Sequence, residues 1–143
     1  MEDKISSRLE SFINTRREKE GTINAMMDMT IKGLNVQEKQ VIILFPVSSW
    51  QLNPANTMHG GLLCCAMDIA MASCAYSYSH AVSTPTISMG VTFVSGVRED
   101  DVLEARACCD HVGSRMIQTR VVLYSTTAKK VVATATGSYA LNT

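Results

Sequence analysis

The sequence lacks the features that tie a chain to nucleic acid, to a membrane or to a disulfide framework. Its 13 basic residues are matched by 13 acidic ones, so the formal net charge is zero. A protein held on nucleic acid by phosphate contacts needs a basic excess. No block of like charges marks a tail, and no internal repeat or low-complexity segment appears. The segment Met1 to Glu20 mixes charges with a few apolar residues and has no apolar core of a signal peptide. The longest near-continuous apolar run, Leu62 to Tyr76, is interrupted by Asp68 and Ser73. It falls short of the ~20 residues that span a bilayer. The five cysteines are an odd number. Four of them form the adjacent pairs Cys64-Cys65 and Cys108-Cys109, neither a spaced CxxC. They read as small buried hydrophobes, with no disulfide framework and no metal site. The expectation is a soluble, cytoplasmic chain that binds neither nucleic acid nor membrane.

What is present is apolar patterning. The chain has 143 residues, 46% of them hydrophobic, enough for one domain over 1–143 with a sizeable core. Ile5, Leu9, Phe12 and Ile13 mark one face of an amphipathic helix within residues 1–20, with Gly21 expected to end it. Met29 to Val36 and Gln40 to Val47 read as strands joined by the polar tract Gln37-Glu38-Lys39. Ser48 to His59 is a loop by composition. Residues 59–80 then form a long helix rich in Ala, Leu, Met and Cys. Its apolar residues cover every face, which predicts burial nearly all round. Four strands follow: Thr86 to Ser95, Val102 to Cys109, Arg115 to Ser125 and Val131 to Leu141. In the first of these, Ile87, Met89, Val91 and Phe93 are expected to share a face. Strands in succession after a helix indicate an α+β fold with an antiparallel sheet curled around that helix.

The chemistry-bearing stretch is Asn53-Pro54-Ala55-Asn56-Thr57-Met58-His59-Gly60-Gly61, followed by Asp68. Gly60 and Gly61 allow close backbone approach to a ligand. They stand where the helix begins, so unpaired N–H groups and the positive end of the dipole point outward. Such a place can polarise a carbonyl or stabilise an oxyanion. Asp68 lies two turns further on, among apolar residues. A carboxylate there is costly unless it is paired, faces a cleft or is used chemically.

The loop and helix start Asn53…His59-Gly60-Gly61…Asp68, with the order of elements over roughly residues 20 to 141, resemble hotdog-fold thioesterases of the phenylacetate-degradation (PaaI-like) type. The resemblance implies a hotdog fold, an antiparallel sheet wrapped around a long central helix, preceded here by a short N-terminal helix. It implies hydrolysis of acyl-CoA thioesters with no separate cofactor, CoA being part of the substrate. By the same resemblance Asp68 matches the base or nucleophile, and the Gly60 N–H matches the donor to the thioester carbonyl. Asn53 and His59 match residues that orient water and the helix-start loop. Thr86 matches a residue that helps hold the attacking water. Gly61, Met67 and Ser88 fall in the expected substrate pocket, and the turn Gly113-Ser114-Arg115 lies where the family binds the nucleotide. The resemblance also implies a homo-oligomer, dimer or tetramer, with active sites between subunits. Asn56 stands where many members have Gly, and Ser88 where many have an acidic residue. Two other functions compete with hydrolysis: a non-catalytic acyl-CoA binding or sensor module, and a hotdog hydratase or dehydratase using a His–carboxylate pair.

Overall fold

The computed structural model describes residues 1–143 throughout. Helix α1 spans Glu2–Arg17, with Glu2 and Asp3 in its first turn and Arg16 and Arg17 in its last. That charge order complements the helix dipole. Ile5, Leu9, Phe12 and Ile13 are its buried face, as their spacing predicts. The helix stops four residues before Gly21, which instead adopts a positive φ of 81° and turns the chain. A one-turn helix α2, Ile23–Met26, follows, with the Thr22 hydroxyl accepting a hydrogen bond from the Ala25 N–H at 3.2 Å. Nothing in the apolar spacing announces so short an element.

Strands β1 (Thr30–Asn35) and β2 (Gln40–Pro46) form the expected hairpin. After a 3₁₀ turn at Ser49–Gln51 comes α3, Gly60–Ser77, a little shorter than the 59–80 read from composition. Then follow β3 (Thr86–Phe93), β4 (Val102–Val112), β5 (Met116–Ser125) and β6 (Lys130–Ala140). All pairings are antiparallel, and the six strands run in the order β1-β2-β4-β5-β6-β3. The sheet packs along α3, and α1 packs on α3 from another side. This is the hotdog arrangement: an antiparallel sheet around a long central helix, with a short helix before it.

The inner face of the sheet explains how the helix fits. Ala105, Ala107, Ala133, Ala135 and Gly137 are buried there, while Leu63, Met67, Met71 and Cys74 of α3 fill the same core. Small strand residues let the helix approach and long flexible side chains fill the remainder. By length and composition alone α3 is long and apolar enough to cross a membrane, more than the run Leu62 to Tyr76 suggested. It serves instead as the core helix, packed against β2, β3, β4, β5 and β6. A single chain does not bury it all round. Gly61, Cys64, Cys65, Asp68 and Ala72 make a stripe that the sheet and α1 leave incompletely covered, and each is only partly buried or exposed. The five cysteines are all free; Cys74, Cys108 and Cys109 are buried as expected, Cys64 and Cys65 only half so.

Gly137 sets a packing limit. A Cβ at this position would stand 2.9 Å from the Tyr139 ring and 3.1 Å from the Met71 methyl. Gly137→Ala is therefore expected to lower stability by about 1–3 kcal/mol through overpacking, read as a fall in the denaturation midpoint at unchanged slope.

Candidate active site

The loop between β2 and α3 is pinned from several directions. The buried Gln51 side chain accepts from the Ser48 N–H at 2.9 Å, and its backbone carbonyl accepts the His59 N–H at 2.7 Å. Met58 N–H donates to the Val97 carbonyl at 2.9 Å. Asn53 works within the loop: its side-chain oxygen accepts from the N–H groups of Ala55 (3.0 Å) and Thr57 (3.1 Å), and its amide donates to the Thr57 hydroxyl at 2.9 Å. Asn56 has a φ of 61°. This left-handed conformation is why glycine suits the position, and Asn is among the few other residues that tolerate it.

His59 caps α3. Its Nδ1 accepts the Gly61 N–H at 2.9 Å, which leaves Nε2 to donate outward. The Gly60 N–H, in contrast, has no partner within the chain. It sits at the first helical position, where the unpaired donor and the dipole both favour an electron-rich ligand. The Phe93 ring lies against Gly60; a Cβ built there would be 3.3 Å from it. Met58, Leu63, Phe93 and Val94 line an open cleft of about 300 Å³ beside Gly60.

Asp68 is half-buried on the open stripe of α3. One of its oxygens, Oδ1, accepts two hydrogen bonds at 2.7 Å, one from the Thr86 hydroxyl and one from the Tyr139 phenol. Oδ2 receives none from the chain. A bulge brings Thr86 there. In the β3–β6 ladder Ser88 pairs with Ser138 and Thr86 with Tyr139, so Ile87 is the extra residue. The inner face of β3 is therefore Thr86, Met89, Val91 and Phe93, and Ile87 leaves the set that simple alternation assigns. Bulges often redirect a side chain in this way beside a functional site. Ser88, across from Ser138, lies on the face turned away from α3. Met67 is fully buried in the core.

Gly113, Ser114 and Arg115 form the β4–β5 turn. A Cβ on Gly113 would lie 2.8 Å from the Met116 carbonyl, so the turn requires glycine. The turn adjoins the end of the sheet where Ile117, Tyr139 and Thr86 lie side by side. Arg115 is exposed and makes no ion pair within the chain, whereas Arg106 is paired with Glu104 and Arg120 with Asp110. The structure thus brings Asp68 and Thr86 together, puts His59, Gly60 and Gly61 at the helix start with Asn53 behind them, and sets Ser88 and Met67 apart. Tyr139 and Gln51 are absent from the sequence reading. The one signal for Tyr139 is a lone aromatic in the small-residue run Ala133 to Ala140, two residues after a glycine.

A family model of the thioesterase superfamily matches residues 55–132. The chain belongs to the thioesterase superfamily. No curated protein matches its sequence significantly. Among solved structures it is similar to the E. coli PaaI protein from the phenylacetic acid degradation operon, with a TM-score of 0.85 at 18% identity over 99% of this chain and 96% of that one. A hypothetical thioesterase from Streptococcus pneumoniae, solved with coenzyme A, gives 0.78 at 19% identity over 93% and 96%. A Streptococcus mutans protein bound to acetyl-CoA gives 0.72 at 19% over 80% and 88%. At such identities the likeness establishes the hotdog fold.

In this superfamily member the left-handed turn at Asn56 holds the loop that carries His59 and Gly60. Asn56→Ala is expected to cost about 1 kcal/mol, since a Cβ without a local polar group is disfavoured at positive φ. Asn56→Gly is expected to be close to neutral. Chemical denaturation of the two variants in parallel checks the difference.

Proposed function

We propose that the chain is an acyl-CoA thioesterase in which Asp68 activates water and the Gly60 N–H polarises the thioester carbonyl. The observation that carries this reading is the state of the Asp68 carboxylate, tied through Oδ1 to Thr86 and Tyr139 with Oδ2 left free. Since the Thr86 hydroxyl gives its own hydrogen to Asp68, its oxygen can accept one from water. A water donating to both Oδ2 and Thr86 Oγ1 presents its lone pair to a carbonyl carbon. Attack passes the water proton to Asp68 and builds an oxyanion on the Gly60 N–H. Collapse expels the CoA thiolate, which takes the proton back. A hydratase or dehydratase reading loses support here. It needs a His–carboxylate pair, and the His59 ring is turned to its own helix start.

One chain does not assemble this site. Gly60 and Asp68 are eight residues apart on one helix, so their Cα atoms lie about 12 Å apart. A carbonyl and its attacking water need both groups within a few ångströms. The open edge of the sheet supports a solution. Strand β3 is bonded only to β6 and bears exposed Ile87, Phe93 and Val94 near its ends. If a second copy adds antiparallel to β3 about a two-fold axis, the Thr86 end of one strand meets the Phe93 end of the other. Asp68, bonded to Thr86, then faces the partner's Gly60, which lies against the partner's Phe93. The functional unit of this proposal is therefore a homodimer with two shared sites, or a tetramer of two such dimers. In this reading Arg115 and the Gly113 turn, beside the Thr86 end, meet the CoA phosphates.

Two experiments test this. Release of free thiol from a panel of acyl-CoA thioesters should be readily measured for the wild type and fall about 10²–10⁴-fold in Asp68→Asn. The amide still accepts from Thr86 and Tyr139, so the fold should persist. Near-normal hydrolysis by this variant rejects Asp68 as the base, and binding without release by the wild type favours a sensor. The second experiment mixes inactive chains. Proline is well accepted at the first helical position and has no N–H, and His59 already has the extended ψ of 134° that proline requires before it. Refolding Gly60→Pro together with Asp68→Asn should restore about a quarter of the wild-type rate, because half the random dimers are mixed and each holds one complete site. No recovery would place the whole site within one chain.

A further inference from the structure

We infer that Tyr139 is a positioning residue for Asp68: its buried phenol, sharing one carboxylate oxygen with Thr86, fixes the carboxylate so that Oδ2 is the oxygen that reacts. As a statement about catalysis this rests on the thioesterase reading above. The geometry carries it. Tyr139 is fully buried on the inner face of β6, directly across from Thr86 in the β3–β6 ladder. Its hydroxyl lies 2.7 Å from Oδ1 and 3.3 Å from the backbone carbonyl of the same residue. The phenol thus has a backbone acceptor within reach, yet the shorter bond goes to the side chain. Two donors on Oδ1 close that oxygen to water and hold the carboxylate in one rotamer, with Oδ2 left without a donor from the chain. Gly137 makes the arrangement possible, because a side chain there would strike the Tyr139 ring.

The donor is permanent. Burial, then the Asp68 charge and the bond to it, push the phenol far above its ordinary value, so it stays protonated at any working pH. The other titratable groups that sense Asp68 are Cys64 and Cys65, one turn earlier on α3. Burial and the Asp68 charge raise both thiols, Cys65 to about 11, so neither bears charge at neutral pH. Within the chain, the phenol and the Thr86 hydroxyl are what steady Asp68.

Tyr139→Phe deletes one oxygen and keeps the packing, and it is tested in the full chain with thermal unfolding as the check on folding. The expected result is a loss in kcat on the order of tenfold, the usual weight of a hydrogen bond to a charged group, with KM unchanged. A purely packing role would not lower kcat at an unchanged KM. A readout free of turnover is the carbon-13 resonance of the labelled Asp68 carboxyl at one neutral pH, which should shift in the variant because the carboxylate has lost one of its two donors. A wild-type resonance and a wild-type kcat in Tyr139→Phe would overturn the inference. If the resonance shifts but the wild type releases thiol from no acyl-CoA, the positioning role stands and the thioesterase reading falls. Should the variant fail to fold, Gly137→Ala keeps the phenol and crowds its ring from the same strand. It should reproduce both effects, and a wild-type resonance with a wild-type kcat for it would equally overturn the inference.

Discussion

A single carboxylate in an otherwise apolar helix governs much of this structure. Leaving Asp68 without partners against the core of α3 would cost several times the value of an ordinary hydrogen bond. The fold meets that demand with two hydroxyls on one oxygen. Each hydroxyl has its own structural requirement. Thr86 reaches the inner face only because β3 carries an extra residue at Ile87, and Tyr139 fits only because Gly137 has no side chain. A bulge, a glycine and a buried aromatic thus depend on one charge. The free oxygen that results is what converts a structural solution into a chemical opportunity.

The same helix also carries the donor at its start, and the separation of the two groups follows from helical rise alone. A rigid α-helix cannot fold back to bring its first N–H beside a carboxylate two turns later. In the proposed reaction base and donor share one element, and one chain by itself leaves that pair apart. The open edge of β3 adjoins the stripe of α3, since Thr86 of the one is bonded to Asp68 of the other. The residues of the stripe, Gly61, Cys64, Cys65, Asp68 and Ala72, are small or short. They leave room for a neighbour to come close, where larger apolar side chains would have had to be buried within the chain.

How much of this could be read from the residues depends on how periodic each signal is. Helix α1 declares itself through Ile5, Leu9, Phe12 and Ile13, and the six strands through alternation or β-branched runs. Asp68 and Gly60 stand out because a charge and a glycine pair break an apolar pattern. Short or irregular elements are silent. Helix α2 has four residues and no repeat, and the 3₁₀ turn that seats Gln51 rests on a side-chain clamp. The bulge in β3 is invisible to alternation, which therefore put Ile87 on the face that Thr86 occupies. Tyr139 escaped because its partner is 71 residues away in sequence, a distance no local pattern spans. The all-round burial predicted for α3 is met only in part by one chain for a related reason: composition reports how apolar a helix is, and says nothing of which surfaces a single chain is able to cover.

Several of these misses, the β3 bulge, Tyr139 and Gln51, fall at the site, and there is a physical cause. Regular elements obey local propensity, which a sequence displays openly. A reactive group must be held away from its local optimum by contacts from elsewhere, so its supports are long-range and irregular. Asn56 shows the same tension on a smaller scale. It takes a left-handed conformation that glycine would adopt without strain, and its backbone N–H also closes the turn onto the Asn53 carbonyl at 2.9 Å. The loop that presents Gly60 is thus fixed by Asn53 from one side and Gln51 from the other. Position at the helix start is secured by the loop's own hydrogen bonds, while position at Asp68 is secured by the sheet. The two groups to which the proposed reaction gives separate roles thus rest on largely different supports.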